Sequence, residues 1–160
     1  WEVTDEILNQ FRDLEVLDLS GSDSSRCNFD IFIELGGLKQ VYLNDCGLTE
    51  LPDSIRSQVQ LQVLEVAFNP LSKLPFWITE LKGLQQLNVA HTDFRDCPLE
   101  VGALFNLEVL TIRAHDSIQT RTWLSHFKDH QFAVQRVHSH HRLTLWEASI
   151  FQIHNSSFPI

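Results

Sequence analysis

Histidines concentrate late in the chain, with His115, His126, His130, His138, His140 and His141 among the total of eight, and their imidazole nitrogens could bind a transition metal or titrate near neutral pH. In "WLSHFKDH", His126 and His130 would share a helical face, and "HSHH" offers further ligands. The pattern falls short of a metal centre. "HFKDH" lacks the glutamate that H-E-x-x-H needs as general base, the segment holds no cysteine, and a strand would send His140 and His141 to opposite faces. Surface imidazoles are the expectation, ahead of a metal site or a pH-sensitive interface. Other chemistry is no better supported: the sequence contains no G-x-x-x-x-G-K-[ST] phosphate loop, no G-x-S-x-G elbow and no C-x-x-C pair. No catalytic centre, no metal and no cofactor is expected.

Cys27, Cys46 and Cys97 are odd in number and far apart, unlike the paired framework of a small secreted domain, which favours a reducing, cytoplasmic setting. The glycosylation triplet at Asn155 keeps secretion as the alternative. Twelve Lys and Arg against 21 Asp and Glu leave a formal charge of −9, which repels phosphate backbones and anionic lipid, so neither nucleic acid nor membrane insertion is expected. The excess lies in residues 1–106, with 7 basic and 17 acidic groups, whereas residues 107–160 carry 5 and 4. No apolar run approaches the roughly 18 residues of a membrane span. Opening at Trp1 with no methionine anywhere, the chain is expected to be processed or excised.

What positions these residues is a repeat. From Leu14, Leu38, Leu61, Leu84 and Leu107, at steps of 24, 23, 23 and 23, an apolar set recurs at offsets zero, three and five, as in Leu61, Leu64 and Val66. Each set is short and alternating, like a strand with one buried face. A second apolar set follows, such as Leu71, Leu74, Ile78 and Leu81, echoed by Phe94, Cys97, Val101 and Leu104. Pro52, Pro75 and Pro98 stand at matching places in this return leg. Strand, turn and return make one coil, which needs its neighbours to bury its apolar residues.

"LQVLEVAFNPL" resembles the L-x-x-L-x-L-x-x-N-x-L signature of the leucine-rich repeat family, and "LPDSIRSQVQL" and "LPFWITELKGL" resemble its 23-residue type. The resemblance implies an α/β solenoid: a right-handed curved superhelix with a parallel sheet on its concave face and irregular or helical convex legs. Residues 1–13 would be a helical cap or truncated repeat, 14–115 about five repeats, and 116–160 a C-terminal cap, in which "RTWLSHFKDHQFAVQRV" reads as a helix followed by a strand. At the family's asparagine place stand Ser22, Cys46, Asn69, Thr92 and His115, of which the first four can hydrogen-bond the turn backbone.

The resemblance also implies a protein partner, held on the concave face by side chains lying between the buried strand positions. The expected column is Asp18, Tyr42, Glu65, Asn88 and Thr111, joined by Asn44, Phe68, His91 and Arg113, with Tyr42 and Phe68 as apolar anchors and the acids selecting a basic or polar partner. Phe76 and Trp77, adjacent aromatics on a convex leg, are expected to pack on a neighbouring coil rather than bind. The functional expectation is a non-catalytic interaction module. The alternatives are the recognition part of a larger enzyme, such as a kinase, GTPase or ubiquitin ligase, and a secreted effector or adhesin.

Overall fold

The computed structural model describes residues 11–94, 99–113 and 133–137. Six parallel strands form one sheet in sequence order: β1 (Val16–Asp18), β2 (Gln40–Tyr42), β3 (Val63–Glu65), β4 (Gln86–Asn88), β5 (Val109–Arg113) and β6 (Ala133–Val137). Register is kept throughout, so that Leu17, Val41, Leu64, Leu87 and Leu110 pair in succession. From β2 to β5 the three inward rows begun by Leu38, Val41 and Leu43 are never more than 4% exposed. This continuous apolar interior is what stacked coils provide and one coil cannot.

Each strand ends because the backbone turns at the same place. Gly21, Asp45, Phe68 and His91 occupy equivalent positions and all take left-handed φ, at 77°, 54°, 58° and 56°. The chain then returns on the far side through short 3-10 turns. Pro52 and Pro75 stand immediately before the turns Asp53–Ser57 and Phe76–Glu80 at φ −60° and −71°, angles the pyrrolidine ring imposes in any case. A third turn, Leu99–Ala103, follows in the next coil.

The first coil lacks the Leu-Pro step and returns differently. Asp23 caps a turn at Ser24–Arg26, and a short helix, α1 (Ile31–Leu35), follows and ends on left-handed Gly36. Coils are stitched across their legs: the Ser54 and Ser57 hydroxyls donate to the Phe29 and Phe32 carbonyls at 2.7 and 2.9 Å, and Arg56 pairs with Glu80. Leu14, Leu17 and Leu19 of the first coil are only partly buried.

Residues 11–13 form a turn, while the rest of the expected N-terminal cap lies outside the described residues, as do Cys97, Pro98 and His115. Within the expected C-terminal cap, β6 pairs with β5 in parallel, setting Val134 opposite Leu110 and Gln135 opposite Thr111.

Candidate functional site

Between the inward rows, Asp18, Tyr42, Glu65, Asn88 and Thr111 pair successively across β1 to β5 and form one row along the sheet face. Adjacent strands lie about 4.8 Å apart, so these side chains are mutual neighbours. Asp18 is exposed and the other four are half-buried.

Glu65 is the centre of a polar clasp. Its Oε2 accepts hydrogen bonds from the Nδ2 groups of Asn44 and Asn88 at 3.1 and 3.3 Å. Both amides are turned that way by the backbone: Asn44 Oδ1 accepts from the Ala67 N–H at 2.8 Å, and Asn88 Oδ1 from the Ala90 N–H at 3.1 Å, which leaves each NH₂ facing the carboxylate. Tyr42 is steadied from the other side, its hydroxyl donating to Gln40 Oε1 at 2.9 Å. At the end of the row, the Ser20 N–H donates to Asp18 at 2.9 Å, and bonds from the Ser20 backbone and hydroxyl hold the Asp18 carboxyl below its ordinary value of 3.8.

Where the strands end, the left-handed positions form a rim. Phe68 is 44% exposed and lies face to face with His91, their ring centroids 4.3 Å apart and their planes within 8°. Asp45 occupies the same position one coil earlier, its N–H donating to the carbonyl of Ala67 beside Phe68. Thus Asn44 joins the expected row through Glu65, and Phe68 with His91 makes an adjoining rim. Arg113 ends β5, with its side chain outside the described residues. Sequence reasoning did not anticipate the Asn44–Glu65–Asn88 clasp or the buried Ala67 and Ala90 beneath it; small residues at two successive coils were the available signal.

Elsewhere, Trp77 packs against the core and its indole N–H donates to Asp53 Oδ1 at 2.7 Å, whereas Phe76 is 79% exposed. An open polar groove of about 460 Å³ runs along the other strand ends, past Lys39, Gln62, Gln85 and Glu108. Among the described residues no group of three His, Cys, Asp or Glu side chains is placed to hold a metal, and no helix is long and apolar enough to cross a membrane. The late histidines that raised the metal question lie outside the described residues.

A family model for a leucine-rich repeat region matches residues 3–129. The chain belongs to the leucine-rich repeat family. It is 32% identical over 111 residues to an adenylate cyclase of Schizosaccharomyces pombe, covering 68% of this chain and 7% of that protein. It is 31% identical over 93 residues to Receptor-like protein 34 of Arabidopsis thaliana, covering 56% and 10%. The repeat chain therefore spans a tenth or less of the length of these two relatives. In fold it is similar to a leucine-rich repeat protein of Leptospira interrogans, with a TM-score of 0.51 and 22% identity over 86% of this chain and 40% of that one. The sheet face carrying the Glu65 row is thus the concave face of a leucine-rich repeat solenoid.

The family's asparagine place explains how that face is held. Asn69 accepts from the N–H groups of Cys46 and Leu48 at 3.0 and 2.9 Å and donates to the carbonyls of Leu43, Val66 and Ala67, locking the turn that displays Phe68. Cys46 and Thr92 perform reduced versions, donating to Leu19 O at 3.2 Å and Val89 O at 2.9 Å. Burial pushes the Cys46 thiol above its ordinary value, which keeps it a neutral donor. Ser22 is half-buried, its N–H bonded to Leu19 O.

Proposed function

We propose that this leucine-rich repeat chain is a non-catalytic recognition module that holds another protein against the concave row from Asp18 to Thr111. One observation carries the reading: side chains on five successive strands stand in strict register on the concave face, while the inward rows and the return legs supply the apolar core. A regular, rigid row costs little entropy to present, which favours binding of an extended partner surface. Nucleic acid is disfavoured by the charge of −9.

The test replaces Tyr42, Glu65 and Asn88 together by alanine. The variant is expected to melt cooperatively, because none of the three lies in the inward rows, and to lose the protein that the unaltered chain captures from its native extract. Undiminished capture by the folded variant overturns the reading. A second reading, recognition within a larger enzyme, is motivated by the adenylate cyclase relative, of which the matched stretch is only 7%. The sequence flanking this chain in its parent protein separates the two.

A further inference from the structure

Resting on the concave-face reading, we propose that the partner presents an arginine whose guanidinium pairs with Glu65 and stacks on Phe68. Glu65 brings the charge. Its Oε2 is held by two amides, and the ion pairs among the described residues join Lys39 to Glu15 and Arg56 to Glu80, neither of which neutralises it. A carboxylate fixed in direction by neutral donors on a concave surface is prepared for an incoming cation at little cost in reorganisation.

Phe68 brings the π-face. The coil demands a left-handed residue at this position, a demand met elsewhere by Gly21, Asp45 and His91, residue types that tolerate it better than phenylalanine. An exposed aromatic at such a strained place contributes poorly to folding and points to use. One face of its ring rests on His91, while the preceding coil sets Asp45 at the equivalent position.

Glu65 and Phe68 are three residues apart, so their backbones are separated by at most about 10 Å. A planar cation on a long stem satisfies both, through carboxylate pairing and stacking on the ring; the compact ammonium of lysine matches this pair of groups less well. Charge favours the same occupant, since residues 1–106 carry 7 basic against 17 acidic groups. An apolar side chain here would strip water from Glu65 without compensation, and a phosphate would be repelled.

The 160-residue chain, immobilised, is used to select from a displayed library of random peptides, and the strongest peptide is synthesised with arginine and with its uncharged isostere citrulline. We expect an arginine in the selected peptides. Citrulline in the peptide, or Glu65→Gln in the protein, should each weaken binding about tenfold or more, and Phe68→Leu severalfold, with melting temperatures unchanged. Insensitivity to citrulline and Glu65→Gln, with binding still lost on replacing Tyr42, Asn88 and Thr111, overturns the arginine and leaves the concave face standing. Binding untouched by that triple replacement overturns both. A selection that enriches no arginine peptide also counts against the proposal.

Discussion

Asn69 and Gln58 are the two buried polar side chains among the described residues, and each closes backbone bonds between coils. Gln58 stands where later coils have Leu81 and Leu104; its Oε1 accepts from the Leu38 N–H at 3.1 Å and its Nε2 donates to Phe32 O. Restoring the repeat by Gln58→Leu should therefore destabilise, by about 1–3 kcal/mol, because the amide and carbonyl lose their partners. Asn69→Ala strands more groups, including the N–H groups of Cys46 and Leu48, and should cost about 3–5 kcal/mol. Urea unfolding of both variants checks the order. Asn69 was legible in the sequence from its place in "LQVLEVAFNPL"; Gln58 was not, since a glutamine at a leucine position reads as a lapse until its partners are seen.

At the scale of elements, the first coil departs from the others, and its carboxylates give it a distinct acid response. Asp23 accepts from the Ser25 hydroxyl at 2.7 Å and backbone N–H at 3.0 Å, and these bonds hold it below its ordinary 3.8; Asp18 at the end of β1 is lowered by Ser20. A carboxyl with a depressed folded-state pKa stabilises fully above its unfolded value and loses that contribution as pH falls through the folded value. The first coil should thus weaken as pH drops below about 4. Replacing both residues by asparagine should flatten the pH dependence of urea midpoints between about pH 5 and about pH 2; an unchanged slope would show that other carboxylates govern it. The Leu-Pro legs were legible because proline dictates its own φ, whereas α1 was not, the first unit having no such marker.

For the whole molecule, stability is shared between adjacent coils, so a defect in the middle divides the stack. Leu64→Asp places a charge in a fully buried row between two coils and should abolish the cooperative melt, while Val63→Asp, one residue away on the half-buried sheet face, should retain it. Circular dichroism melting distinguishes them, and equal behaviour would contradict the inward assignment. The β6 strand falls where a strand was expected, at the end of "RTWLSHFKDHQFAVQRV". Its parallel pairing in register with β5 was not legible, since Arg136 stands opposite Ile112 where the earlier coils repeat an apolar residue.

The spacing of apolar residues by itself determined the coil length and the inward rows, because burial in a stack depends on a period that the sequence displays, and the family resemblance added the parallel sheet. Only the tertiary structure decided which polar groups engage one another. The Asn44–Glu65–Asn88 clasp and the Phe68–His91 stack join residues 21 to 23 positions apart, and their geometry depends on side-chain reach between coils, which no periodicity encodes.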